Sequence, residues 1–165
     1  MAYCELSSII ANTEISSKQK NMKIMIFTEG TVLGPKNMFQ HFNHKIYIPI
    51  GNCISKIKSW EEQGAQILYF TSRKKVKQVN EIREILKKFN FPGERLYYRE
   101  EKEKYKDIIE FVVPDILIED DCQSIGGKWQ MCITYVNEEV KSKVNSIVLK
   151  EFEGIDNLPL LLSDI

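Results

Sequence analysis

Four carboxylates, Glu29, Glu119, Asp120 and Asp121, each follow directly on a run of apolar, β-forming residues. Glu29 closes "IMIFTEGT" and is flanked by Thr28, Gly30 and Thr31. The other three close "PDILIEDD". A third apolar run, "ILYFTSR", ends in Thr71, Ser72 and Arg73. Like charges held close together resist ionising together, so such a cluster must recruit a cation or a proton. Ligands that are all oxygen favour a hard ion, of which Mg²⁺ is the usual occupant. Thr71 and Ser72 stand just ahead of a helical pattern, where free N–H groups and the helix dipole attract anions. Arg73 and Lys74 add positive charge. A cation, hydroxyls and a helix start together make a phosphate site. The bland alternative is that Glu29 and Asp120 only cap loops while Asp121 faces solvent.

For these groups to meet, the chain must bring three strand ends to one edge. "GNCISKIKSWEEQGA" puts Ile54, Ile57 and Trp60 at helical spacing, with Asn52 as N-cap and Gly64 as stop. "VKQVNEIREILKKFN" predicts a second helix with Val76, Val79, Ile82, Leu86 and Phe89 inward. "RLYYR" reads as a third strand, and "EKYKDIIEFVV" as a third helix. "MCITYV" and "SIVLKEF" read as further short strands with a small helix, "NEEVKSKV", between them. The apolar tail "GIDNLPLLLSDI" is expected to pack on the domain. Strands alternating with helices predict a three-layer α/β/α fold around a mainly parallel sheet. Right-handed crossovers then put every loop that follows a strand on the same edge. Ligands bind beyond that edge, where strand order reverses.

The chain has 165 residues, enough for one domain with a real core. Residues 1–21 read as a polar N-terminal extension and 22–165 as the single domain. The start has no basic segment and no long apolar one, so it does not read as a secretory signal. No apolar stretch is long enough to span a bilayer. Lys+Arg and Asp+Glu both total 23, which argues against a nucleic-acid binder that relies on a basic surface. Cys4, Cys53, Cys122 and Cys132 are scattered and show no CxxC spacing. A reducing cytoplasm is therefore the expected location. His41 and His44 lie in a polar stretch where a general base is conceivable but a bystander is the commoner case. Cys122 follows the acids, whose charge raises a thiol's pKa, so a plain buried cysteine is expected there.

From Lys23 to Phe152 the chain resembles the haloacid dehalogenase-like (HAD) superfamily of phosphotransferases. That family opens with a buried strand ending in Asp-x-Asp-Gly-Thr; the corresponding segment is "FTEGT". Its second motif is a strand ending in Thr or Ser, matched by "ILYFTSR". Its third is a lysine, for which Lys106 in "EKYKD" is best placed, with Lys102 and Lys104 as rivals. Its fourth is a strand ending in paired acids, matched by "PDILIEDD". The resemblance implies a Rossmann-like fold, Mg²⁺ held by Glu119, Asp120 and Asp121, and catalysis by Glu29 and Lys106. It further implies a ligand phosphate bound by Thr28, Gly30, Thr31, Thr71, Ser72 and Arg73. The stretch from Val32 to Ile48 is too short for an inserted cap domain, so a capless form with at most a small flap is implied.

The departure lies at the first motif. The family's nucleophilic aspartate, which also ligates the metal, falls on Phe27, and its second aspartate falls on Glu29. Phenylalanine can neither attack phosphorus nor bind a cation. Three readings follow. The domain binds a phosphorylated small molecule or macromolecule with little or no phosphatase turnover; or Glu29 and a metal-activated water hydrolyse a phosphate ester directly; or only the fold is used, as an interaction scaffold.

Overall fold

A computed structural model describes residues 21–37, 43–93 and 95–165. Five strands form one sheet: β1 (Lys23–Phe27), β4 (Gln66–Phe70), β5 (Arg95–Tyr97), β6 (Ile116–Asp120) and β7 (Asn145–Leu149). Their order is β5-β4-β1-β6-β7, and every pair is parallel. The central strands are apolar on both faces, as a sheet covered on both sides requires. Ile24 and Ile26 of β1 enter one core cluster while Met25 and Phe27 enter the other, the period of two that a pleated strand imposes.

Helix α1 (Cys53–Glu62) turns Cys53, Ile57 and Trp60 inward, and α2 (Val76–Lys88) turns Val79, Ile82, Ile85 and Leu86 inward. Residues of both helices join the cluster built on Ile24 and Ile26. Val76 departs from the expected inward face: it is the first residue of α2 and is exposed. Helix α3 (Tyr105–Val112) packs on the opposite face through Ile108, Ile109 and Val112. Its start is fixed by Asp107, whose carboxylate accepts the Lys104 N–H at 2.8 Å. It stops at Val113, which has φ 45° directly ahead of Pro114. The short helix α4 (Glu138–Lys141) begins on an Asn137 cap, whose side chain accepts from the Val140 N–H.

Two elements differ from the sequence expectation. "MCITYV" is a chain of turns, not a strand. The carboxylate of Glu119 accepts the N–H groups of Cys132 (2.6 Å) and Ile133 (3.1 Å), which curls the segment against α3's side of the sheet. The flap is a two-stranded antiparallel piece, β2 (Leu33–Gly34) with β3 (Ile48–Pro49), preceded by a 3-10 turn at His44–Ile46. His44 is buried there, its Nε2 2.8 Å from Glu81 on α2, so it fastens the flap rather than facing the strand ends. His41 and residues 1–20 of the expected extension lie outside the described residues.

The tail packs along α1 as expected. Lys56 Nζ donates to the carbonyls of Asp156 (2.6 Å) and Leu158, and Trp60 Nε1 donates to that of Pro159 (3.1 Å). No helix among the described residues is long and apolar enough to cross a membrane.

The order of strands reverses at β1. The chain steps outward through β4 and β5, then returns across β1 to β6. The β1–β4 ladder runs up to Phe27↔Phe70 and the β6–β7 ladder up to Asp120↔Leu149. The β1–β6 ladder stops earlier, at Ile26↔Ile118. Beyond that point β1 and β6 no longer pair, and the loops that follow them meet at the reversal point, where Glu29 and Asp120 stand and where ligands bind in folds of this kind.

Candidate functional site

The loop after β1 is tight. The N–H groups of Val32 (3.0 Å) and Leu33 (2.8 Å) both donate to the Thr28 carbonyl. Gly30 has φ 85°, and a Cβ there would lie 2.4 Å from Asp120 Oδ2. Only glycine lets the β1 loop approach the end of β6 this closely. Thr31 Oγ1 stands 3.4 Å from the same Asp120 oxygen. The expected meeting of the first and fourth strand ends therefore holds.

Glu29 and Asp120 nevertheless face different surroundings. Glu29 turns toward the end of β4. Its Oε1 accepts from Thr71 Oγ1 (2.8 Å), Ser72 Oγ (2.9 Å) and Arg73 Nε (2.9 Å). Its Oε2 accepts from the Thr28 hydroxyl. Burial pulls its pKa upward, but these donors and the Arg73 charge outweigh burial and hold the carboxyl below its ordinary range. Glu29 is thus a fixed anion with its oxygens already engaged. That is the setting of a structural ion pair more than of an acid about to exchange a proton.

Asp120 is also buried, with Oδ1 accepting the Cys122 N–H at 2.9 Å. Burial, and next the charge of Glu151, raise its pKa, although the Cys122 N–H opposes them. Oxygens of Asp120, Asp121 and Glu151 lie within 4.8 Å of one another. Asp121 Oδ1 accepts the Glu151 N–H at 3.2 Å, and Glu151 is held in turn by the Ser124 N–H (3.0 Å) and hydroxyl (2.7 Å). The donor set is oxygen only, and its mutual repulsion is what a hard divalent cation relieves. These residues fit Mg²⁺.

Glu119 does not belong to this set. Neighbouring strand residues point to opposite faces, so Glu119 turns into the cluster of Met25 and Leu117, where both its oxygens accept N–H groups. Burial pushes it up to about 7 against those hydrogen bonds. Its place is taken by Glu151, which sequence reading did not single out. Strand register brings it there: Leu149 pairs with Asp120, so the residues just past β7 lie beside Asp121.

Lys106 pairs with acids of its own helix and with none of the acids at the strand ends. Its Nζ lies 3.7 Å from Asp107 and 3.8 Å from Glu110 on its own helix. Phe27 is buried and packs edge-on against Phe70 (5.6 Å between centroids) and Tyr105 (5.7 Å). Cys122 is buried as expected; burial and the charge of Asp120 push its thiol up. The structure thus joins Thr28, Glu29, Thr71, Ser72 and Arg73 in one group. Gly30, Thr31, Asp120 and Asp121 join Glu151 in a second, beside the first.

No protein-family model matches the chain, and no curated protein sequence matches it. Among solved structures it is similar to a chain of a Pnkp1/Rnl/Hen1 complex, at 13% identity and a TM-score of 0.55, over 91% of this chain and 52% of that one. It is similar to a chain of a Pnkp1/Rnl/Hen1 RNA repair complex at 14% identity and a TM-score of 0.53, over 81% of this chain and 44% of that one. The chain therefore spans about half the length of those relatives, and the likeness is one of fold.

Proposed function

We propose that this is a HAD-like domain that binds a phosphorylated ligand, small molecule or macromolecule, at the β1–β6 junction without passing the phosphoryl group to the protein. The observation that carries the reading is Phe27. An aromatic ring, locked between Phe70 and Tyr105, stands where a nucleophilic carboxylate would have to be. Asp120, Asp121 and Glu151 would hold Mg²⁺. The ion would supply positive charge for the ligand's phosphoryl oxygens. Arg73 supplies guanidinium charge at the neighbouring strand end, while the hydroxyl protons of Thr71 and Ser72 go to Glu29. Glu29 anchors those donors. The free, buried Cys53, Cys122 and Cys132 accord with a reducing cytoplasm as the place where this happens.

The reading that uses Glu29 as the acid/base of a hydrolase is less favoured, because its carboxyl is held ionised and engaged. One experiment separates the two. Melting of the full chain is followed with Mg²⁺ and inorganic phosphate, and hydrolysis of p-nitrophenyl phosphate is assayed alongside, in wild type, Glu29→Gln and Asp120→Asn. Binding predicts a joint stabilisation by Mg²⁺ and phosphate that Asp120→Asn abolishes, with no turnover. Metal-dependent turnover lost in both variants would establish the hydrolase instead, and neither effect would leave a scaffold.

A further inference from the structure

Two buried side-chain atoms among the described residues have no hydrogen-bond partner, Arg99 Nε and Ser146 Oγ. A buried donor without an acceptor is destabilising, so each needs an explanation. Ser146 lies mid-sheet, opposite Leu117. Arg99 lies just past β5, whose neighbour β4 ends in Thr71 and Ser72, with the Thr71 N–H donating to the Tyr97 carbonyl at 3.1 Å.

The Arg99 guanidinium is held firmly. Its plane centre stands 3.6 Å from the centroid of the Tyr105 ring, and Nη2 donates to the Ser72 carbonyl at 3.3 Å. Tyr105 rests edge-on against Phe27 and Phe70, so Arg99 stands over the aromatic floor at the ends of β1 and β4. Two guanidinium groups therefore bracket Ser72. Arg73 Nε is engaged by Glu29, whereas Arg99 Nε is not engaged, and no carboxylate among the described residues pairs with Arg99. A cation pinned by stacking and by the Ser72 carbonyl, with one N–H left over, is prepared for an oxyanion.

We infer that Arg99 is an oxyanion-binding residue at the β4–β1 side of this sheet edge, its Nε–H donating to a phosphoryl oxygen of a bound phosphate monoester. The inference rests on the phosphate-binding reading above. It also supplies the cation that Lys106, turned onto its own helix, does not bring.

The test uses the full chain with Mg²⁺ and titrates inorganic phosphate and phenyl phosphate by calorimetry, in wild type, Arg99→Gln and Arg99→Lys. In parallel the ¹⁵N–¹H signal of Arg99 Nε, assigned by its loss in Arg99→Lys, is followed during the phosphate titration. Wild type is expected to bind, with that signal shifting as the orphan N–H gains an acceptor. Arg99→Gln is expected to bind at least about tenfold more weakly. Arg99→Lys is expected to fall between them, since an ammonium lacks the planar fork. Phosphate binding that is equal in wild type and Arg99→Gln, with the Nε–H signal unmoved, would sink the role of Arg99 and leave the phosphate site standing. No binding by wild type would remove both. If Arg99→Gln unfolds, the wild-type Nε–H signal decides.

Discussion

The two sides of the β1–β6 junction handle buried negative charge in opposite ways. At the β1–β4 side a single carboxylate, Glu29, collects three hydroxyls and a guanidinium. At the β6–β7 side three carboxylates meet, and their nearby donors are backbone N–H groups and the hydroxyls of Ser124 and Thr31. Burial acts on Glu29 and Asp120 alike; what differs is the charge that answers it, and their pKa values move in opposite directions. One side carries its counter-charge in the sequence. The three acids of the other have no ion-pair partner among the described residues. A motif search treats both as acids at strand ends, but only the first has its charge answered by a cation of the chain.

The largest expected effect breaks the first side. Arg73→Met leaves Glu29 buried with its charge unanswered, and should destabilise the fold by about 3 kcal/mol in urea or guanidinium titrations. A loss under about 0.5 kcal/mol, the scale of an exposed pair, would mean that Arg73 is a surface ornament and that the contrast between the sides is false.

An acid titration sharpens the same side with a smaller change. The folded pKa of Glu29 lies below its unfolded value, so its contribution to stability is present above the unfolded pKa of about 4.3 and is lost as pH falls through the folded pKa. Melting curves between pH 7 and 3 should show that loss in wild type, and a shallower fall in Glu29→Gln. Parallel curves for the two proteins would contradict the assignment.

The smallest effect has the opposite sign. Asp120→Asn keeps an oxygen for the Cys122 N–H but removes one of three mutually repelling charges. Without divalent ions at pH 7 it should be as stable as wild type or more so, by up to about 1 kcal/mol. A clear destabilisation, measured in the presence of chelator, would show that this side too is satisfied internally.

Much of this arrangement could be read from residue order. The apolar runs ending at Phe27, Phe70 and Ile118 declared the three central strands, and the helices between them required parallel pairing. That logic placed Glu29 beside Asp120 before any coordinates. What it missed followed from side-chain direction and from partners distant in sequence. Alternation along β6 sends Glu119 and Asp120 to opposite faces, a fact that pairing the acids as a motif overlooked. "MCITYV" is rich in β-branched and aromatic residues like a strand, yet the buried Glu119 claims two of its N–H groups, and a satisfied carboxylate outranks a weak β preference. Glu151 and Arg99 enter only through the neighbours of β6 and β4, which strand order alone reveals. Lys106 was judged by its place along the chain, whereas the neighbouring acids of α3 decide where its ammonium goes.

The short β1–β6 ladder has a mechanical meaning. The sheet divides into a leaf of β5, β4 and β1 and a leaf of β6 and β7. At the lower end the leaves are riveted by Lys23, whose N–H donates to Asp115 at 2.8 Å and whose Nζ donates to the Val112 carbonyl at 2.7 Å. At the upper end the Phe152 N–H spans to Gly30 at 2.7 Å with no strand pairing beneath it. The lower end of the junction is thus tied by strand pairing and by both ends of Lys23, and the upper end by loop contacts, Phe152 to Gly30 and Thr31 to Asp120. Loop residues, rather than the ladder, therefore set how closely Glu29 and Asp120 approach.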